Sequence, residues 1–196
     1  SVGHGLNTTP GVVIYKNIDT AGNWRVHHKD LGVSKTLYLN ENEDEDANTD
    51  RVTAVDGTTF TVGAITAGDD HIAYCWSEIP GYSKIGSWLS TGDDFVYLGF
   101  KPAFLLAKCA SHAGEWTMYD LLRMVQGSDS NMLLADLSTH EDAGSPNNYV
   151  GSQALVDLLS NGFKIRHSGS SPLGDSGRTY VYCAWASSPF KYSNAR

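Results

Sequence analysis

The sequence is short of the features that usually assign a protein to a function class. No stretch approaches the roughly 18 consecutive apolar residues that a membrane-spanning helix requires. The opening Ser1-Val2-Gly3-His4-Gly5 has neither a basic n-region nor an apolar h-region. It also lacks an initiating Met, so a processed chain or a piece of a longer protein is expected. Cysteine is scarce, with Cys75, Cys109 and Cys183 in apolar, strand-like surroundings. They read as buried free thiols packing as small hydrophobes, and no disulfide scaffold is implied. Basic residues are outnumbered, 14 Lys and Arg against 22 Asp and Glu, for a net charge of −8. A protein that binds phosphate backbones displaces counterions with a Lys/Arg stripe, and there is none here. Nucleic acid and membrane insertion are therefore not expected.

Catalytic and metal-binding signatures are missing as well. There is no Gly-x-Ser-x-Gly elbow and no Gly-rich loop closing in Gly-Lys-Ser/Thr. The three Cys are too dispersed for a zinc site, and the seven His (4, 27, 28, 71, 112, 140, 167) lack the spacing that converges on a metal. His27 and His28 are adjacent on a predicted strand and point to opposite faces. The acid pairs Asp69-Asp70, Asp93-Asp94 and Glu141-Asp142 sit at turn-like positions, where Asp serves the backbone, and no catalytic residue is assigned. The run Glu41-Asn42-Glu43-Asp44-Glu45-Asp46-Ala47-Asn48-Thr49-Asp50 places Asp44, Asp46, Asn48 and Asp50 at alternating positions as in a calcium loop. Thr49 stands where that loop needs Gly, and Val55 where it needs Glu. An EF-hand is rejected and a solvated β–β loop expected. Asp44, Asp46 and Asp50 are retained only as candidates for a non-motif cation site, and no cofactor is expected.

What is present is a core-forming composition, 41% hydrophobic and only 18% charged, and a degenerate repeat. Pro10-Gly11-Val12-Val13-Ile14-Tyr15-Lys16 with Ala21-Gly22-Asn23-Trp24 recurs as Pro102-Ala103-Phe104-Leu105-Leu106-Ala107-Lys108 with Ala113-Gly114-Glu115-Trp116, each position 92 residues on (10 to 102, 24 to 116). Leu37-Tyr38-Leu39 parallels Met132-Leu133-Leu134 at 95, Phe60-Thr61-Val62 parallels Phe163-Lys164-Ile165 at 103, and Tyr74-Cys75 parallels Tyr182-Cys183 at 108. Two copies, 1–90 and 91–196, are read as halves of one domain with a shared core, because each alone is small.

Short segments rich in Val, Ile, Tyr, Phe and Thr, separated by Gly, Asn, Asp and Ser, predict an all-β, antiparallel β-sandwich. Strands are predicted over 11–16, 24–28, 36–40, 51–55, 58–63, 70–78, 94–100, 103–108, 115–119, 131–136, 162–167 and 178–186. The segment 87–94 reads as a loop. Met118, Leu121, Leu122 and Val125 fit a helical period, so one short helix or an irregular crossover is expected over 116–126.

Aromatic faces stack on sugar rings, and exposed aromatics beside hydrogen-bonding side chains are what a glycan site offers. Trp24, Trp116, Trp76 and Trp185 read as core. Trp88, Tyr82 and Tyr149, in Gly/Ser/Asn-rich segments, are the ligand-binding candidates.

The stretch His71-Ile72-Ala73-Tyr74-Cys75-Trp76-Ser77-Glu78-Ile79-Pro80-Gly81-Tyr82-Ser83-Lys84-Ile85-Gly86-Ser87 resembles a segment of a family of tailed-bacteriophage virion proteins. So do Phe95-Val96-Tyr97-Leu98-Gly99-Phe100-Lys101-Pro102-Ala103-Phe104, Leu159-Ser160-Asn161-Gly162-Phe163-Lys164 and the ending Pro189-Phe190-Lys191-Tyr192-Ser193-Asn194-Ala195-Arg196. The opening His4-Gly5-Leu6 with Pro10, Lys16 and Trp24 is similar too. In that family such segments form the C-terminal region of tail-fibre or other virion structural proteins, often behind a concanavalin-type lectin-like domain. The resemblance implies a distal tail-fibre module on the virion surface, made in the host cytoplasm, that recognises a host cell-surface glycan or protein. It further implies contacts with other virion proteins and a homo-oligomer, a trimer. The acidic loop and the missing lectin-like portion depart from the pattern. The alternatives are a purely architectural capsid or tail decoration or adaptor, and a polysaccharide-degrading enzyme.

Overall fold

The computed structural model describes residues 1–33, 35–46, 51–63, 65, 68–124, 132–138, 156–166 and 172–187. The first half contributes β1 (Val2–Gly3), β2 (Val12–Asn17), β3 (Arg25–His28), β4 (Leu37–Tyr38), β5 (Val52–Val55), β6 (Thr59–Val62) and β7 (His71–Trp76). After the linking strand β8 (Ser83–Leu89) come β9 (Phe95–Tyr97), β10 (Pro102–Cys109), β11 (Thr117–Asp120), β12 (Met132–Leu134), β13 (Val156–Leu159), β14 (Gly162–Ile165) and β15 (Thr179–Ala186). Among the described residues all pairings are antiparallel, in four sheets ordered β1-β6-β5, β4-β3-β2-β7, β12-β11-β10-β15-β8 and β13-β14-β9. The only helical element among the described residues is a 3-10 turn, Lys29–Leu31. The molecule is all-β, as the alternation predicts.

Alternation divides the side chains of each long strand between two cores. From β2, Val13 and Tyr15 pack with Val52 and Phe60 against the small sheet of the first half. Val12 and Ile14, one residue out of phase, join Val26, Leu37, Leu106, Trp116, Val181 and Cys183 in a core between the two larger sheets. From β10 and β15, Leu105, Ala107, Tyr180 and Tyr182 face the small sheet of the second half and meet Val96, Val156, Leu158, Phe163 and Ile165. Four layers result, two β-sandwiches stacked through their larger sheets. The inner strands are buried on both faces, which is why β10 and β15 read as nearly continuous apolar runs.

The two halves share pairing as well as order. Val12 opposes His28 and Tyr15 opposes Arg25; Phe104 opposes Asp120 and Ala107 opposes Thr117, each 92 residues on. Val55 opposes Phe60, and Leu158 opposes Phe163, 103 residues on. Elsewhere the register corrects the sequence alignment by one. Leu37 opposes Val26 as Leu133 opposes Met118, an offset of 96 rather than 95 (37 to 133). Trp76 opposes Val12 as Trp185 opposes Phe104, an offset of 109 rather than 108 (76 to 185). A one-residue slip changes the face of every side chain. Tyr74 therefore packs beside Trp24 and Trp76, while Tyr182 lies in the core of the second sandwich.

The repeated Lys, Gly and Trp form one recurring device. Lys16 Nζ donates to the Gly22 carbonyl and lies 5.8 Å from the Trp24 ring centroid. Lys108 Nζ donates to the Gly114 carbonyl at 2.5 Å and lies 5.9 Å from that of Trp116. Each ammonium ties the β-hairpin that follows its strand.

Three strands lie outside the predicted set: β1, β8 and β13. β8 overturns the loop read over 87–94, since Ser87, Trp88 and Leu89 pair with β15. The expected helix over 116–126 is replaced by β11 and a turn over 121–123; Val125 and Gln126 lie outside the described residues. There, Met118 follows strand alternation, and its helical spacing to Leu121 and Leu122 is coincidental. The three cysteines are free thiols.

Candidate functional site

β8 is the edge strand of the five-stranded sheet and β9 the edge strand of the small sheet packed over it, so a groove opens between them. Two features shape it. Gly86 lets the Tyr182 ring lie against the β8 backbone, because a Cβ there would stand 2.7 Å from the Tyr182 hydroxyl and 2.9 Å from its Cζ. Lys84 reaches across, its Nζ donating to the Tyr97 carbonyl at 2.7 Å and lying 5.5 Å from the Tyr97 ring centroid. The resulting cavity has a volume of about 520 Å³ and is lined by Trp88, Phe95, Tyr97 and Tyr182 together with Lys29, Asp30, Glu78 and Lys84.

The charged side of the groove is organised by Glu78. Its carboxylate accepts from Lys29 Nζ at 2.8 Å and from the Ile85 N–H at 3.0 Å. Burial acts to raise its pKa, but these two bonds outweigh it and hold the group below the usual carboxylate range. The Tyr182 hydroxyl is pushed up by burial and then by the charges of Glu78 and Asp30, so it stays a neutral donor. Beneath it, His28 Nε2 lies 3.3 Å from the Tyr182 carbonyl, and burial lowers its pKa despite that contact. Aromatic faces beside fixed donors and acceptors suit a ring that carries apolar C–H patches and hydroxyls, which describes a sugar.

The sequence candidates fare unequally. Trp88 lines this groove but is no exposed loop residue. Its ring stacks on Tyr180, with centroids 4.9 Å apart and 16° between planes, and meets the edge of Phe163 at 5.6 Å. It forms a floor, and its buried Nε1–H finds no acceptor among the described residues. The loop reading placed it outside because β8 was not recognised. Tyr82 is half-buried in the turn before β8, outside the groove lining; its carbonyl accepts the Ala186 N–H at 2.7 Å. Tyr149 lies outside the described residues. The exposed aromatics of the groove are Phe95 (48%) and Tyr97 (60%). The alternation Phe95-Val96-Tyr97 was the available signal, since burying Val96 turns both neighbours outward.

The cation candidates do not converge. Asp44 is exposed, whereas Asp46 accepts from the Tyr38 hydroxyl at 3.0 Å and exchanges backbone bonds with Thr36; Asp50 lies outside the described residues. Among the described residues no group of three or more His, Cys, Asp or Glu is placed to hold a metal. Asp94 accepts from Ser90 Oγ at 2.7 Å and Thr91 Oγ1 at 2.6 Å, the turn role read for its acid pair. His27 and His28 are packed in the interior.

No curated protein and no solved structure matches this chain. A family model described as DUF7483, a domain of unknown function, matches residues 1–189. Sequence and register thus describe one repeated β architecture across nearly the whole match, and the chain belongs to the DUF7483 family.

Proposed function

We propose that this protein is a host-recognition module of a tailed-bacteriophage virion, with the β8–β9 groove as its carbohydrate-binding surface. The observation that carries the reading is that Trp88, Phe95, Tyr97 and Tyr182 line one cavity together with Lys29, Asp30, Glu78 and Lys84. The similarity of several segments to phage virion proteins supplies the biological setting. A fibre presents several copies, so individually weak sugar contacts add through effective concentration. The test is binding of the purified chain to candidate host cells, with sedimentation to measure its oligomeric state. Retention by cells, lost on competition with their extracted surface polysaccharide, supports the reading; no retention by any host of the parent phage refutes it.

A second reading rests on β9. It is the edge strand of its sheet and carries two exposed aromatics, so it offers main-chain groups and side-chain anchors to another virion protein. Under that architectural reading the chain captures a protein of the same virion and ignores cells.

A further inference from the structure

The hairpins built by the two halves follow one plan and differ in the two side chains that pair beside the Trp. In the first half, Asn40 Oδ1 accepts the Trp24 N–H at 2.7 Å, and Asn40 Nδ2 donates to Asn23 Oδ1 at 3.0 Å. In the second half, Asp136 Oδ1 accepts the Trp116 N–H at 3.1 Å. Asp136 thus stands where Asn40 stands and Glu115, before Trp116, where Asn23 stands. The amide donor that closes the first pair has been replaced by an acceptor.

Glu115 is only 6% exposed, and among the described residues neither its Oε2 nor the buried Oδ2 of Asp136 has a donor, although the two carboxyl groups lie within hydrogen-bonding reach of each other. Buried acceptors without donors are costly, more so when charged. Two of the three Lys108 N–H donors are committed elsewhere. Lys108 Nζ bonds the Asn42 carbonyl at 3.1 Å and the Gly114 carbonyl at 2.5 Å, and the Asn42 amide approaches only the other Glu115 oxygen, at 3.5 Å. A cavity of about 290 Å³ opens here, lined by Asn40, Glu41, Asn42 and Glu43 of the first half and by Glu115 and Asp136 of the second. The first-half loop is fixed in place by backbone bonds, Gly114 N–H to the Asn42 carbonyl at 2.7 Å and Glu45 N–H to the Ala110 carbonyl at 2.8 Å.

We propose that Glu115 Oε2 and Asp136 Oδ2 are the two carboxylate ligands of a calcium site that closes the junction between the halves. Oxygen-only donors select a hard cation, and calcium accepts amide oxygens, carbonyls and water to complete six to eight ligands. Two carboxylates suggest an affinity of about 10⁻⁴–10⁻³ M, that of extracellular modules. The surrounding charges agree: Glu41 and Glu43 line the same cavity. The first half needs no ion because its amide pair satisfies itself.

The test is terbium luminescence sensitised through the adjacent Trp116, with calcium competition, together with thermal melting at pH 8 with and without millimolar calcium. The variant is Glu115→Asn with Asp136→Asn, which restores the amide pair of the first half; Glu115→Gln is the second variant should the double change not fold. The proposal expects calcium-displaceable emission and a melting temperature raised by several degrees in the wild type, both lost in the variant. No calcium response in the wild type overturns it and leaves a shared proton as occupant. An equal response in the variants overturns it and places the ion elsewhere, as in the acidic loop.

Discussion

Trp76 and Trp185 occupy equivalent positions in the two halves and meet each other edge to face, with ring centroids 6.3 Å apart and 73° between planes. A contact between a residue and its own counterpart is what an isologous interface produces where two copies meet, although here the copies are covalently joined. Both rings pack against the core between the larger sheets. Trp185→Ala should cost about 2–3 kcal/mol, less than a fully buried large aromatic because the ring is only half-buried. Urea unfolding should remain a single transition, since the halves share that core. Two separated transitions in the wild type would mean that the sandwiches are independent.

Gly162, the first residue of β14, lies against β9, where a Cβ would clash with the Val96 carbonyl oxygen. That neighbour is backbone within a ladder and cannot swing away. Gly162→Ala should cost more than about 3 kcal/mol or prevent folding, whereas Gly22→Ala, with open space around it, should change stability by less than about 1 kcal/mol. Chemical denaturation of the two variants makes the comparison.

Lys16 and Lys108 are equivalent in sequence and in their contact with a hairpin carbonyl, but Lys108 is fully buried between the halves. Losing it frees two carbonyls and leaves Glu115 and Asp136 without their nearest cation. Lys108→Met should destabilise by about 2–3 kcal/mol and Lys16→Met by under about 1 kcal/mol. Equal effects would show that the second-half ammonium is only a surface tie.

His27 is 1% exposed, neither ring nitrogen has a partner among the described residues, and burial followed by the His28 charge lowers its pKa to about 4. Between pH 6.5 and 4 the unfolded chain binds a proton that the folded chain refuses. Stability is therefore full above pH 6.5 and falls as pH drops toward 4, by up to about 3 kcal/mol at about 1.36 kcal/mol per unit. His28, also lowered, adds in the same direction. His27→Leu should flatten most of this acid slope when urea midpoints are compared at pH 7, 5.5 and 4; an unchanged slope would assign it to other groups.

The repeat was legible because its fixed points do structural work in both copies: Pro10 and Pro102 at the entry to a long strand, Lys16 and Lys108 on a hairpin carbonyl, Trp24 and Trp116 beside them. Strand alternation placed most elements for the same reason, two-sided burial giving strong Val, Ile, Tyr and Leu runs. β8 escaped because Ser83, Gly86 and Ser87 resemble a loop, and the reason for Gly86 is a ring from a distant strand, Tyr182. Identity of Tyr74-Cys75 with Tyr182-Cys183 misled the register by one, since only cross-strand pairing reveals which face a side chain takes. In the groove, Trp88 was visible as an aromatic but its role as floor depends on Tyr180 and Phe163, far away in sequence. The Glu115–Asp136 pair was invisible for the same reason: its members are joined only by the hairpin plan they share with Asn23 and Asn40.

The central claim is that the β8–β9 groove binds host surface sugar, and a glycan array probed with the full chain and with the Phe95→Ala/Tyr97→Ala variant tests it most directly. Both rings are largely exposed, so the variant should melt within a few degrees of the wild type. The account predicts that the wild type binds a defined set of host glycans and that the variant loses at least about tenfold in apparent affinity for them, roughly 1.4 kcal/mol. Undiminished binding by a folded variant, or no glycan binding by the wild type, would contradict it.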